Sequence, residues 1–221
     1  VSVISSLADS RIISIIDKEF RERTFGTTQQ YLEIYSPVYL DGELKVARID
    51  REKGNQIIAY LPIHDEQFYF AVYIDTDSSA ITGVGTEACY KVSFRVTSAA
   101  LSESELSLMT QLKSTNSWDK GSLRKSGASV YDFSAVEFVP NPEPDELEDK
   151  LTGLLDFLEQ DKGGVLQLLS AATGYISIAA YYEFNGNKGI HLENKIIKRL
   201  NDLNLAIDID QYICGKPFTD Q

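Results

Sequence analysis

Leu147, Leu151, Leu154, Leu155 and Leu158 recur at spacings that put all five on one stripe of an α-helix, while Glu146, Glu148, Asp149, Asp156 and Glu159 fill much of the rest. A stripe that apolar is stable only against a second layer. The chain supplies one in residues 175–184, a run of Ile, Ala and Tyr typical of a central strand. Helix packed on sheet is the starting constraint, and the flanking segments extend it. Residues 90–96 alternate as a strand, 98–112 read as a helix with Glu103 and Glu105 in its acidic first turn, and 128–139 read as a strand. Asn141-Pro142-Glu143-Pro144 is a stiff connector, and Gly163-Gly164 breaks the leucine helix from a second short one. After Asn185-Gly186-Asn187 come a helix over 192–203 and a strand over 205–214.

The amino-terminal part follows another plan. Ile12, Ile13, Ile15, Ile16 and Phe20 predict a helix that stops near Gly26, after which the period changes to two over 31–40, 43–50, 56–61 and 67–75. Asp41-Gly42 predicts a hairpin because both residues tolerate positive φ. Periodicity is weak between 76 and 87, where Asp77-Ser78-Ser79 and Gly83-Val84-Gly85 punctuate the chain, so a boundary is placed near residue 86. The expected fold class is α+β: a helix plus antiparallel meander over 1–86, and over 87–221 an α+β sandwich of ferredoxin-like, split βαβ type with helices on one face.

Charge narrows the choice of partners. The 221 residues carry 21 Lys and Arg against 33 Asp and Glu, a net charge of -12; residues 1–87 hold 8 against 14, which leaves 13 against 19, or -6 in each part. Acidity spread in this way opposes binding to phosphate backbones and anionic lipid, so neither nucleic acid nor a membrane surface is expected as a partner. A basic protein is the partner that fits, and self-association through a sheet edge or a Tyr-rich face is compatible with it. Cys89 and Cys214 are far apart and outside any C-x-x-C, and are expected as buried free thiols in a reducing, cytoplasmic setting. The first residues include Val3, Ile4 and Leu7 but also Asp9 and Arg11, a poor signal peptide.

Catalytic constellations are scarce. His64 falls in an expected turn beside Asp65 and Glu66, and His191 opens the last helix with no nucleophile motif beside it. Asp208 and Asp210 project from one face of the last strand, where two carboxylates suit a cation or acid–base work, although the same alternation describes an ordinary half-buried strand. No phosphate loop, G-x-S-x-G or H-E-x-x-H occurs, so no cofactor or metal is expected and the balance leans against an enzyme.

Residues 88–215 resemble the domain of unknown function 4279 family. The resemblance is carried by Trp118-Asp119-Lys120-Gly121, the leucine-rich helix, Tyr181-Tyr182-Glu183, and above all Gly189-Ile190-His191-Leu192 running through Ile196, Leu200 and Leu203 into Leu205-Ala206-Ile207-Asp208-Ile209-Asp210. Where the family leads one to expect a second tryptophan-bearing strand, this chain has Ser129-Val130-Tyr131-Asp132-Phe133. The resemblance implies a small bacterial cytoplasmic module with no established activity, some members acting as immunity proteins beside toxins.

Two expectations follow. The first is a non-catalytic protein-binding module, an immunity-type inhibitor of a basic toxin; the alternative is a small-molecule-binding or hydrolytic enzyme with an interdomain cleft. The candidate binding residues are Trp118, Asp119, Lys120, Glu183, Asp208 and Asp210.

Overall fold

The computed structural model describes residues 7–124, 127–186 and 189–217; Val3, Ile4 and Asn187 lie outside the described residues. The fold is mixed α+β, with six helices and eleven strands in three sheets among the described residues. No helix among them is long and apolar enough to cross a membrane. Two compact units divide the chain: one gathers Val1–Cys89, Tyr181–Lys188 and Gln211–Gln221, the other Tyr90–Ala180 and Gly189–Asp210.

In the first unit, α1 (Asp9–Glu22) buries Ile12, Ile16 and Phe20, each four residues from the last. It ends before Gly26, because Arg23 turns left-handed and returns its N–H to the Glu19 carbonyl at 2.7 Å. The strand expected over 31–40 survives only as its last two residues, because 31–34 belong instead to a second helix, α2 (Gly26–Ile34). Buried Glu19 fastens its start by accepting the Phe25 N–H at 3.1 Å and the Thr24 hydroxyl. Tyr31 and Tyr35 stack at 6.4 Å beside Phe70. A separation of four residues fits one face of a strand and one face of a helix equally, and capping by Glu19 favours the helix.

β1 (Tyr39–Leu40) and β2 (Glu43–Leu44) form the hairpin that Asp41-Gly42 predicts, both turn residues having positive φ. β3 (Arg48–Lys53), β4 (Gln56–Pro62), β5 (Tyr69–Asp75) and β6 (Ile81–Glu87) then make the antiparallel meander. β6 occupies a stretch expected to be irregular. Tyr73 on β5 is paired with Gly83, and a Cβ added at Gly83 or Gly85 would meet its ring at 3.6 or 3.9 Å. The glycines leave room for this cross-strand ring, whose hydroxyl reaches Glu87 at 2.6 Å. Ile57, Ala59, Leu61, Phe70, Val72 and Ile74 pack in one core with the buried face of α1. Burial of each large side chain there contributes roughly 1.5–3 kcal/mol.

The second unit is built from β7 (Cys89–Ser98), α3 (Glu103–Ser107), β8 (Asn116–Trp118), β9 (Ser134–Phe138), α4 (Leu147–Glu159), α5 (Lys162–Ala171), β10 (Thr173–Glu183), α6 (Asn194–Asp202) and β11 (Ala206–Cys214), except that Cys89 and the last residues of β10 and β11, from Tyr181 and Gln211 onward, count with the first unit. The strand order is β11-β10-β7-β9-β8. The leucine stripe of α4 is buried along its length and joins α5, α6 and the inward residues Phe94, Val96, Val136, Phe138, Ile176 and Ile178 in one core. All three helices therefore share one face of the sheet.

Three expectations change here. α3 is shorter than 98–112: Ser102 and Glu105 form a capping box at its start, and Asp161 holds the chain beyond it by accepting the Thr110 hydroxyl at 2.8 Å and the Gln111 N–H at 2.6 Å. Gly163-Gly164 does not break a helix but lies in the first turn of α5, where Asp161 accepts the Gly164 N–H at 3.0 Å. A Cβ on Gly164 would overlap the Asp161 carboxylate and lie 2.8 Å from the Thr110 Cα. The strand expected over 128–139 contracts to β9, and Trp118 ends strand β8 rather than sitting in a loop. Cys89 and Cys214 are unpaired, as expected, but half-buried rather than buried.

Candidate functional site

Side chains directly opposite each other in an antiparallel pair share a face. Arg95, Glu137 and Asn116 are in register across β7, β9 and β8, and so are Thr97, Ala135 and Trp118. Phe94 and Phe138, one position away, are buried in the core. The first two rows therefore lie on the face turned away from the helices, where Arg95, Glu137, Asn116 and Trp118 open into a groove of about 720 Å³.

One wall is aromatic. Trp118 stacks on Tyr131 at 4.8 Å with 23° between the planes, and the Arg124 guanidinium lies 5.2 Å from the Tyr131 ring centre. Tyr131 thus provides the second ring where the family resemblance leads one to expect a tryptophan. The Trp118 indole nitrogen is buried and without a hydrogen-bond partner. Such an orphan donor costs about 1–3 kcal/mol unless an acceptor reaches it.

The floor is an ion pair. Glu137 Oε1 accepts from Arg95 Nη2 at 2.6 Å and Nε at 3.1 Å and from the Ser93 hydroxyl at 3.1 Å, while Oε2 accepts from Asn116 Nδ2 at 3.0 Å. Burial lowers the proton affinity of Arg95, but Glu137 more than restores it, so the guanidinium stays firmly charged. With four donors on it, Glu137 is a structural acceptor rather than a free base.

The remaining candidates from the sequence have separate settings. Asp119 lines the groove and also holds structure together: its Oδ1 accepts the Glu103 N–H at 2.8 Å and the Ser134 hydroxyl at 3.4 Å. Lys120 is exposed and reaches the Ala99 carbonyl at 3.3 Å, and Gly121 takes positive φ to turn the chain. The Trp-Asp-Lys-Gly segment is thus a clamp that leaves Trp118 at the groove wall. Glu183 belongs to the first unit, where it is buried and accepts from Tyr35 at 3.1 Å and from the Asn185 N–H at 2.8 Å. The Tyr35 hydroxyl also accepts the Lys216 N–H at 3.1 Å, and a Cβ on neighbouring Gly215 would overlap that hydroxyl.

Asp208 and Asp210 are exposed on β11, the terminal strand in the sheet order, and Ile209 and Ile213 are exposed beside them. His64 and His191 are both exposed. No group of three or more His, Cys, Asp or Glu that could hold a metal occurs among the described residues. Of the six candidates, the groove brings together Trp118 and Asp119; Arg95, Arg124, Tyr131 and Glu137 also line it and are not among the six. The charged alternation of Arg95 and Glu137 on predicted strands was the available signal, since a polar face on a sheet covered by helices on one side must be the other side.

Residues 87–214 match the family model described as Domain of unknown function (DUF4279). No curated protein and no solved structure matches the chain.

Proposed function

The chain belongs to the DUF4279 family, whose description assigns no activity, and from that premise we propose that the protein is a non-catalytic protein-binding module with a basic partner. The observation that carries this reading is that, among the described residues, β11 is an edge strand of the five-stranded sheet. β11 is nine residues long, all nine positions being open or half-open to solvent, and it ends the strand order. An extended segment of a partner can add to such an edge through main-chain hydrogen bonds. Asp208 and Asp210, two residues apart on one face, would meet Lys or Arg at alternate positions of that segment, while Ile209 and Ile213 on the other face would meet apolar side chains.

A second copy of this chain is the poorer occupant, because antiparallel pairing of β11 with itself sets like carboxylates near one another. A net charge of -12 would speed encounter with a cation-rich protein. On this reading the protein works in the bacterial cytoplasm as an immunity-type inhibitor that covers a basic toxin. The committed hydrogen bonds of Glu137 favour binding over hydrolysis in the groove.

The test is to identify a partner by affinity capture from the native host and to titrate the purified pair at rising salt. Binding should weaken with salt, and Asp208→Asn with Asp210→Asn should weaken it further and flatten the salt dependence. An acidic partner, or affinity indifferent to both salt and the double substitution, counts against the reading.

A further inference from the structure

We propose that the groove on the open face of the second unit's sheet binds a neutral saccharide. This does not depend on the partner strand proposed for β11. The class of ligand follows by elimination from the groups already placed around the groove.

An anion such as phosphate would need a guanidinium with free charge. Arg95 is bound to Glu137 at 2.6 Å, and Arg124 donates from Nε to the Val130 carbonyl at 3.2 Å with Asp132 at 3.7 Å. Glu103, Asp119 and Glu137 line the groove against these two cations, so it carries no positive excess to hold a phosphate. An ammonium ligand would need an open aromatic cage. Here Trp118 and Tyr131 are stacked on each other, and the chain's own Arg124 takes the cation position at the Tyr131 ring. A wholly apolar ligand would cover Asn116, Ser117 and Ser122 without returning their hydrogen bonds.

A saccharide meets each demand. Its C–H faces lie along an aromatic wall, and its hydroxyls both donate and accept, so they can answer the planar side chains of Asp119, Glu103 and Asn116 together. A groove of about 720 Å³ lies within the range of ordinary small-ligand sites and accommodates an oligosaccharide rather than a buried single ring.

Trp118 is the single tryptophan of the chain, so intrinsic tryptophan emission reports on this groove alone. The experiment titrates the full chain with maltotriose, cellotriose, xylotriose and chitotriose, and in parallel with inorganic phosphate and choline. At least one neutral trisaccharide should give a saturable change of emission below about 10 mM. Tyr131→Ala should weaken that response at least about tenfold, with the far-ultraviolet circular dichroism unchanged. If Tyr131→Ala does not fold, Leu123→Glu carries the same comparison, because Leu123 lines the groove yet is 70% exposed and its replacement leaves the core intact. Saturation transfer from the protein to the C–H protons of the bound sugar should accompany the emission change. The proposal is overturned by the absence of a saturable response to all four sugars, by a response to phosphate or choline in their place, or by a sugar response that the groove substitution leaves undiminished.

Discussion

The hydroxyl of Tyr35 lies 3.1 Å from Oε1 of Glu183, a hydrogen bond between two buried residues 148 positions apart in the chain. Tyr35→Phe leaves the ring in its contacts with Phe68 and Phe70 and removes only the oxygen that Glu183 and the Lys216 N–H both meet. The expected loss is about 1–3 kcal/mol, measured by urea denaturation, because a buried carboxylate is left short of a donor. Burial, aided by the nearby Glu183 charge and opposed by the Lys216 backbone bond, pushes the Tyr35 phenol well above its ordinary value of 10.0. With the folded value raised, the stabilisation is complete below 10.0 and is lost only as pH climbs through the folded value, so Tyr35→Phe should shorten the alkaline fall in stability.

Lys150 is a buried cation on the polar flank of the leucine stripe. Its ammonium donates to the Asn141 carbonyl at 2.9 Å and the Glu143 carbonyl at 2.5 Å, tying the proline-stiffened connector back onto α4. Lys150→Met keeps the aliphatic stem and strands those carbonyls. A destabilisation of about 1–3 kcal/mol is expected, with hydrogen exchange rising first across residues 141–146. If exchange rises uniformly over the unit, the local tie is not what the ammonium provides.

Asp161 accepts from the Gln111 N–H, the Thr110 hydroxyl and the Gly164 N–H, in that order of influence, and these bonds hold its carboxyl below the ordinary aspartate value of 3.8. A depressed folded value means that the stabilisation is present above 3.8 and is lost as pH falls through the folded value. Asp161→Asn should therefore melt below the parent near neutrality, and the gap in melting temperature should close as the pH is lowered. Thermal melts between about pH 6 and pH 2 check it, and a gap independent of pH would contradict the assignment.

The parts of this fold that local pattern dictates were readable from the residues. The stripe of α4 admits one period, and Asp41-Gly42 admits few turns besides the one it makes. Where two periods fit the same residues, local pattern does not decide: Tyr31 and Tyr35 satisfy a strand and a helix alike, and the arbiter is Glu19, a capping acceptor on the preceding helix. Gly83 and Gly85 look like loop residues until the Tyr73 ring that lies over them is known, and no local signal announces it. The groove was half legible for a similar reason. Trp118 and Asp119 stand in a motif, but the stacking of Tyr131, the charge pairing of Arg95 with Glu137 and the separate setting of Glu183 depend on strand order, which spacing along the chain does not encode.

The first unit is discontinuous, with Tyr35 held by Glu183 and Lys216. During synthesis the chain emerges from its amino terminus, so α1, α2 and the meander leave the ribosome long before the residues that complete their hydrogen bonds. Throughout that interval Tyr35 must wait without its carboxylate partner. The second unit's helices and inner strands are made in the meantime, so the amino-terminal unit, translated first, is the one that reaches its finished state last.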